Sequence, residues 1–355
     1  MTANMYTRAL AELRRNDGSQ FGGKSANLGE LLAAGISVPS GFALGASAFQ
    51  AFARSTGLDG TIAAAMSRID PADLGTVADA SKAIDEAMRF APLPDAIRNE
   101  LARRHDELVL AVGDPGPPVA VRSSALGEDS EDATFAGQQE TFLWLRGVEE
   151  ICDAVRACWA SLYTARAISY RAARPSTASE PAMGVAIQLM VDAEISGVMF
   201  TGNPISGDPS MVAVNASWGL GLAVVGGEVT PDDYLLSKVT GEVVRQTVSA
   251  KQIEYVPDAA GRGTVRVDVP AERRDRPCLD QQQLAALVKV GKRIERHFGS
   301  HQDVEWAIRR GQAVPEGLLA LQARPVTGLP ERAQKPAASA LSLVMDTFGA
   351  TGDRS

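Results

Sequence analysis

Apolar residues in the first third of the chain recur at the three- to four-residue spacing that is typical of helices. Glycines and Pro39 divide residues 18–45 into a loop, a short helix around Leu28 and Leu31, and a turn. Residues 46–112 keep the helical spacing almost throughout. The pattern therefore predicts a helical N-terminal portion.

Short apolar runs bounded by turn residues dominate the rest of the chain and predict strands. The first is Val119-Ala-Val121, which ends at Arg122 and is followed by a predicted mobile loop, rich in small, acidic and glycine residues, at 125–139. Helical spacing returns at 148–173 and at 280–298. The other strand-like runs are at residues 184–191, 196–201, 212–215, 234–237, 242–249, 304–309 and 318–322. Their density indicates a sheet with mainly antiparallel neighbours.

Breaks rich in proline, alanine and small polar residues divide this pattern into three parts. A first subdomain ends at about residue 180, and a second spans residues 181–327. Residues 328–355 begin with linker composition and continue with four apolar residues at helical spacing, Leu341, Val344, Met345 and Phe348. A helix this short needs a surface to dock on, which is either this chain itself or a partner subunit.

Composition narrows the classes of function. The formal net charge of -8 opposes non-specific binding to nucleic acid. No run approaches the roughly 18 to 20 apolar residues of a membrane span, and the start of the chain lacks the apolar centre of a signal peptide, so the expected location is the cytoplasm. The widely spaced Cys152, Cys158 and Cys278 fit neither a disulfide framework nor a zinc site, and we expect reduced core residues.

A glycine-rich turn carries the first candidate for anion binding. The run from Gly22 to Gly29, GGKSANLG, places Lys24 at a predicted helix start, where free backbone amides and the helix dipole favour an anion. The spacing is not that of a P-loop. The alternative interpretation is an ordinary glycine turn with a solvated lysine.

Arg122 is the second candidate, because it follows a predicted buried strand and faces a loop. A guanidinium in this position can bind phosphate oxygens with two parallel hydrogen bonds. The following segment offers four further candidate ligands, Thr134, Gly137, Gln138 and Thr141. The alternative is a structural ion pair between Arg122 and Glu128, Asp129 or Glu131.

Two predicted strands near the end of the pattern carry the third group of candidates. Glu305 lies on one strand, and Gln322 and Arg324 lie on the next. If the strands pair, Glu305 and Gln322 can present oxygen ligands to Mg²⁺ while Arg324 points at a phosphate. The alternative is an ordinary surface carboxylate.

These segments belong to a set that occurs in one order along the chain. The set is GGKSANLG at 22–29, VAVRSS at 119–124, FAGQQETF at 135–142, GVMFTGNP at 197–204, WGLG at 218–221, VTPD at 229–232, DVEW at 303–306 and QARPVT at 322–327. The combination resembles the nucleotide-binding domain of phosphoenolpyruvate synthase, a domain type that also occurs in pyruvate phosphate dikinase and rifampicin phosphotransferase. The resemblance spans residues 18–327.

The resemblance implies an α+β protein with an ATP-grasp fold, in which two subdomains close on the nucleotide. It also assigns roles at the phosphate end of the nucleotide. Lys24 and Arg122 would hold ATP phosphates, and the loop containing Gly137 and Gln138 would cover them. Thr134 and Thr141 belong to the same implied binding site.

The resemblance assigns further roles to the second subdomain. Gln188 would lie beside adenine. Glu305 and Gln322 would bind Mg²⁺, and Arg324 would stabilise charge on the transferred phosphate. Relatives commonly carry an acidic residue directly after the Trp-Gly-Leu-Gly run, whereas this chain has Leu222. That difference alters either a phosphate-site or cation contact or only local packing, and Glu228 is a candidate substitute for the acid.

Complete members of the family carry a histidine, within a Thr-Ser-His-Ala-Ala run, on a mobile domain. By analogy this histidine attacks the β-phosphorus of ATP and releases AMP, and hydrolysis then releases phosphate. The three histidines of this chain, His105, His297 and His301, lie in no such run. His297 and His301 have the spacing of a metal pair, but Gly299 is expected to end the helix between them. We therefore expect the phosphotransfer histidine on a separate subunit.

The chain is then either a subunit of a split enzyme or a fragment of a longer protein. A split enzyme with its own ATP-binding subunit resembles phenylphosphate synthase, which phosphorylates phenol, and the ATP-binding subunit of that enzyme is our specific expectation. Three alternatives stay open. They are the ATP-binding domain of a phosphoenolpyruvate synthase or rifampicin phosphotransferase, an ATP-grasp ligase that releases ADP, and a regulatory ATP-binding module without turnover.

Overall fold

Eleven α-helices lie in the part of the chain that the computed structural model describes, residues 6–70, 73–126, 140–172 and 181–326. In chain order they are α1 (Gly18–Phe21), α2 (Gly23–Ala33), α3 (Ala46–Ser55), α4 (Leu58–Met66), α5 (Leu74–Phe90), α6 (Asp95–Val112), α7 (Gly147–Ala160), α8 (Ala165–Ala172), α9 (Leu222–Val225), α10 (Ala271–Arg274) and α11 (Gln281–Phe298). The predicted helical N-terminal portion is confirmed by α3 to α6. Most of the predicted mobile loop and the C-terminal segment from residue 327 lie outside the described residues.

The first sheet has five strands and is antiparallel throughout. In chain order they are β1 (Thr7–Ala9), β2 (Gly41–Leu44), β3 (Val119–Ala125), β4 (Thr141–Leu145) and β5 (Met183–Leu189). Across the sheet the order is β1, β2, β5, β3 and β4. The sequence pattern missed β1, β2 and β4, because strands of three to five residues carry too few alternations to be recognised.

The second half of the chain builds a second antiparallel sheet and a hairpin. Its strands are β6 (Ala193–Phe200), β7 (Met211–Trp218), β8 (Asp232–Ser237), β9 (Val243–Thr247), β10 (Ile253–Pro257), β11 (Thr264–Asp268), β12 (Gln302–Arg309) and β13 (Leu318–Pro325). The six-stranded sheet has the order β13, β12, β6, β7, β8 and β9, while β10 and β11 pair only with each other. The predicted α+β class and the predicted antiparallel pairing are both confirmed.

The strand β5 changes the expected boundary between the two halves. It lies at the centre of the first sheet, where it pairs with β2 and β3. The chain therefore passes from the first sheet to the second at residues 190–192, between β5 and β6, rather than at residue 180. The break in composition at residues 175–181 precedes the last strand of the first sheet, so it does not separate the two sheets.

Each sheet has its own hydrophobic core. Helices α3 to α8 cover the first sheet, with Phe52 and Trp159 among the fully buried side chains. Helix α11 covers the second sheet through a face that includes Leu287 and Ile294. The three cysteines are free and buried, as expected, and burial raises the pKa of the Cys158 thiol to about 12. Among the described residues, no helix has the length and apolar character needed to cross a membrane.

Helix α2 connects the two halves. Its Leu28 and Leu31 belong to the core of the second sheet. The Asn27 side chain donates a hydrogen bond of 3.2 Å to the carbonyl oxygen of Ala323 on β13. The Ser25 backbone amide donates to the Ser124 hydroxyl on β3 of the first sheet, at 3.3 Å. The helix is therefore held between strands of both sheets.

A fully buried ion pair fixes the start of β8. The Asp232 carboxylate and the Lys251 ammonium are both inaccessible to solvent and lie 2.6 Å apart. The same carboxylate accepts hydrogen bonds from the backbone amides of Ser249, at 3.0 Å, and Cys278, at 2.7 Å. It also accepts from the Tyr234 hydroxyl at 3.2 Å. One carboxylate thus joins three separate segments of the second half.

Replacing Asp232 by asparagine should therefore lower the free energy of unfolding by about 3 kcal/mol or more, because Lys251 is left as a buried charge without its counter-ion. Urea unfolding measures this loss. The matched control is Asp233→Asn, since the Asp233 carboxylate pairs with a half-exposed Arg245 at 2.8 Å and should contribute less than about 1 kcal/mol. Equal losses for the two variants would contradict a structural role specific to Asp232.

Candidate functional site

A cavity of about 350 Å³ lies between the two sheets. Its size is within the range of roughly 300–1,000 Å³ that is common for small-molecule sites. Side chains of the first sheet and of α2 form one wall, and strands β6, β12 and β13 form the facing wall. Seven of the residues selected from the sequence line it: Lys24, Arg122, Thr141, Gln188, Glu305, Gln322 and Arg324. Lys24 and Arg324, which are 300 positions apart in the chain, therefore line the same cavity.

Close contact between α2 and β3 brings Lys24 into the cavity. Gly22 has φ of 82° and ψ of 156°, a conformation that is essentially restricted to glycine. A Cβ atom at this position would lie 2.2 Å from the Ser124 carbonyl oxygen. The absence of that atom lets the first turn of α2 rest on β3, and the buried Lys24 ammonium donates to the Ser123 carbonyl oxygen at 2.9 Å.

Arg122 reaches from the first sheet across to the second. One terminal nitrogen of its guanidinium lies 3.5 Å from Glu305 Oε2 and 3.4 Å from Gln322 Oε1. The same nitrogen also lies 3.4 Å from the Leu321 carbonyl oxygen. Its Nε is buried and has no hydrogen-bond partner among the described residues. The three acidic residues considered as ion-pair partners in the sequence lie outside the described residues, and Glu305 was not among them.

Strand pairing places Glu305 and Gln322 side by side. The two residues are direct partners in the antiparallel register of β12 and β13, so the predicted pairing of these strands is confirmed. The register shifts directly after this pair, and Trp306 is opposite Ala320. Such an irregularity turns side chains locally, and it leaves both Leu321 and Gln322 lining the cavity.

Asp303 is a residue that the sequence analysis quoted but did not select. It faces Arg324 across the strand pair, and its Oδ2 accepts a hydrogen bond of 2.8 Å from the Arg324 Nε. Burial raises the pKa of the Asp303 carboxyl, whereas the Arg324 charge opposes that rise. Asp303 and Glu305 are two positions apart on one strand and so share a face. The alternation of side chains along a strand could therefore have identified Asp303 from the sequence, because Glu305 was already selected.

The other end of the cavity is largely apolar. Its walls come from the connection between β5 and β6, from α9 and from the inner residues of β12 and β13. Gln188 is only 2% exposed, and its Nε2 has no hydrogen-bond partner in the described structure. Leu222 lies in this wall. A buried amide without a partner in an apolar wall is suited to a flat ligand with polar edges.

Three sequence candidates have no described position, because Thr134, Gly137 and Gln138 lie outside the described residues. None of the three histidines lines the cavity. His105 is buried among helices, His297 contacts Glu30 at 2.6 Å, and His301 contacts the Thr201 carbonyl oxygen at 3.1 Å. His297 belongs to α11, which ends before Gly299 as expected.

Comparison with known proteins shows the family of this chain. The family model for the pyruvate phosphate dikinase AMP/ATP-binding domain matches residues 18–344. A probable phosphoenolpyruvate synthase of Methanothermobacter thermautotrophicus is 40% identical over 346 residues, covering 98% of this chain and 49% of the relative. The phosphoenolpyruvate synthase of Pyrococcus furiosus is 36% identical over 368 residues, covering 93% of this chain and 45% of the relative. The chain spans about half the length of these relatives.

The close contact between Gly22 and β3 leads to a testable prediction about stability. Gly22→Ala should lower the free energy of unfolding by about 2 kcal/mol or more, since it adds backbone strain and a steric clash. Urea unfolding measures the loss. The control is Gly57→Ala, because Gly57 also has a positive φ, of 69°, but a Cβ there would meet nothing within 4 Å. That control should cost about 1 kcal/mol. A smaller loss for Gly22→Ala than for Gly57→Ala would contradict the close contact.

Proposed function

Since the chain belongs to the pyruvate phosphate dikinase AMP/ATP-binding domain family, we propose that its cavity binds Mg-ATP and positions the phosphates for transfer to a histidine on another polypeptide or domain. The ATP-grasp fold expected for the family agrees with the two sheets that enclose the cavity. The proposal assigns ATP binding and phosphate transfer to this chain. It leaves the choice of the final acceptor to the partner.

The observation that carries the proposal is the division of the cavity into a charged end and an apolar end. Lys24, Arg122 and Arg324 supply three cations at one end. The apolar wall with the unpaired Gln188 amide nitrogen lies at the other end. A nucleoside triphosphate has the same division, because its phosphates are anionic and its base is flat with polar edges. We assign the base to the Gln188 end.

The donor atoms beside the phosphate end also suit Mg²⁺. Glu305 supplies a carboxylate and Gln322 an amide oxygen, and hard cations prefer oxygen ligands of this kind. In proteins Mg²⁺ is usually bound through one or two carboxylates together with phosphates of the substrate. The bound ion would neutralise charge on the phosphate oxygens during transfer. We therefore propose Glu305 and Gln322 as its protein ligands.

The residues of this chain would act by positioning and charge neutralisation, which are the main requirements of phosphoryl transfer. Lys24 and Arg122 would orient the phosphates. Arg324, aligned by Asp303, would stabilise charge on the group that is transferred. We place Thr134, Gly137, Gln138 and Thr141 in the same phosphate site by resemblance. Leu222 supplies an apolar surface to the wall of the cavity.

A histidine outside the cavity walls is required for the proposed transfer. All three histidines of the chain lie elsewhere, which supports a partner as the source of the nucleophile. In the proposed cycle the partner histidine attacks the β-phosphorus of ATP and releases AMP. Water then removes one phosphate from the pyrophosphorylated histidine, and the second phosphate passes to the acceptor. The products from ATP are therefore AMP and phosphate.

For the acceptor, we propose phenol, which would make the chain the ATP-binding subunit of a phenylphosphate synthase in the cytoplasm. The alternative is pyruvate, because the relatives compared above are named as a phosphoenolpyruvate synthase and a probable phosphoenolpyruvate synthase. Both acceptors use the same ATP-binding step. An assay with the histidine-bearing partner distinguishes the two alternatives, because only the correct acceptor, phenol or pyruvate, should support formation of AMP.

Binding of Mg-ATP to the isolated chain is the first test. Calorimetry should detect this binding below millimolar nucleotide. Glu305→Gln should weaken the binding of Mg-ATP at least about tenfold. The same variant should change the free energy of unfolding by less than about 1 kcal/mol, because a metal ligand acts mainly when the metal ion is bound. Glu194→Gln is the control, since Glu194 lies on β6 but does not line the cavity. The proposal fails if the unmodified chain does not bind at millimolar ATP and excess Mg²⁺.

Products of turnover provide the second test. The isolated chain should form almost no AMP, and adding the histidine-bearing partner should start release of AMP and phosphate that depends on Arg324. Chromatography of the nucleotides measures this. Release of ADP would instead favour an ATP-grasp ligase. Steady AMP production by the purified chain alone, abolished in Arg324→Ala, would contradict the need for a partner.

A further inference from the structure

One nitrogen of Arg122 contacts both residues proposed as Mg²⁺ ligands. It lies 3.5 Å from Glu305 Oε2 and 3.4 Å from Gln322 Oε1. The Arg122 side chain is 13% exposed and that of Glu305 is 28% exposed, so solvent screens their attraction only partly. A cation therefore already sits against the oxygens that the metal ion would use.

The cations that surround Arg122 have different partners. Lys24 donates to a backbone carbonyl oxygen, that of Ser123. Arg324 pairs with Asp303 at 2.8 Å. Among the described side chains that line the cavity there are three cations and one carboxylate, that of Glu305. With Arg122 in place, a free divalent cation meets an excess of positive charge and a carboxylate that is already neutralised.

The protein ligands are also few. The described residues contain no group of three or more histidine, cysteine, aspartate or glutamate side chains placed to hold a metal ion. One carboxylate and one amide oxygen leave most of an octahedral Mg²⁺ shell to be filled by other oxygens. Phosphate oxygens of the nucleotide would fill part of that shell. They would also offer Arg122 a new anionic partner.

We propose that Arg122 is an exchangeable counter-ion for the metal site, so that the divalent cation enters only together with the nucleotide. Without nucleotide, the Arg122 guanidinium contacts the side-chain oxygens of Glu305 and Gln322. When Mg-ATP binds, Arg122 transfers its hydrogen bonds to the phosphates, and the ion takes its place beside the two oxygens. This inference rests on the proposed function and adds to it a binding order and a positioning role for Arg122.

The test measures binding of Mn²⁺, a spectroscopic substitute for Mg²⁺, by the electron paramagnetic resonance signal of the free ion. The unmodified chain should bind Mn²⁺ more weakly than about 1 mM without nucleotide. With ATP present, it should remove more free Mn²⁺ than the same concentration of ATP removes by itself. Arg122→Met, which keeps an apolar side chain but removes the charge, should bind Mn²⁺ without nucleotide at least about tenfold more tightly than the unmodified chain.

Two further variants test why Arg122→Met gains affinity for Mn²⁺. The gain could come from freeing Glu305 and Gln322, or from removing any positive charge in the cavity. Lys24→Met also removes one cation from the cavity, but Lys24 contacts the Ser123 carbonyl oxygen rather than Glu305, so it should gain little affinity for Mn²⁺. Combining Arg122→Met with Glu305→Gln should abolish the gain, because the freed carboxylate is then absent. Circular dichroism and thermal unfolding establish that each variant is folded.

Three results would contradict the proposed exchange of Arg122 for the metal ion. The unmodified chain could bind Mn²⁺ well below about 1 mM without any nucleotide, a measurement that needs no variant. Arg122→Met could gain no affinity, or Lys24→Met could gain as much. A failure of the proposed function looks different, since the unmodified chain would then show no binding of Mg-ATP in calorimetry. If Mg-ATP binds normally and the Mn²⁺ results are negative, only the exchange is wrong.

Discussion

The position of helix α2 is the constraint on which the cavity depends. Gly22, directly before the helix, lies on β3. Within the helix, Gly29 approaches the Leu13 carbonyl oxygen so closely that a Cβ would lie 2.3 Å from it. A hydrogen bond from Asn27 joins the same helix to β13. Because α2 touches both sheets, it fixes the distance between the cavity walls and places Lys24 at their junction. Small residues rather than strong interactions make this arrangement possible.

Charge pairing across the cavity follows from that geometry. Arg122 extends from the first sheet to Glu305 on the second, and Arg324 pairs with Asp303 within the second sheet. Each of these two cations is thus held by a carboxylate, and under the proposed function a bound nucleotide would replace or supplement that partner. The polar groups of the site are prearranged without a ligand, and binding then requires exchange of partners rather than construction of a site.

Much of this fold and site was predictable from the sequence, for physical reasons that differ between residues. The long helices and β12 and β13 carry clear periodicity, and the short motifs around Lys24, Arg122 and Glu305 select residues that do meet in one cavity. The Arg122 contact with Glu305 was not predictable, because it joins residues of different sheets. Strand β5 was assigned to the wrong half, since pairing with β2 and β3 depends on the whole sheet rather than on local composition.

The most direct measurement is a crystal structure of the chain with Mg²⁺ and a non-hydrolysable ATP analogue. The account predicts the metal ion between the Glu305 and Gln322 oxygens, the triphosphate against Lys24 and Arg122, and the adenine beside Gln188. The Arg122 guanidinium should then contact phosphate oxygens and no longer Glu305. An analogue bound outside this cavity, or bound with its base at the charged end, would contradict the account.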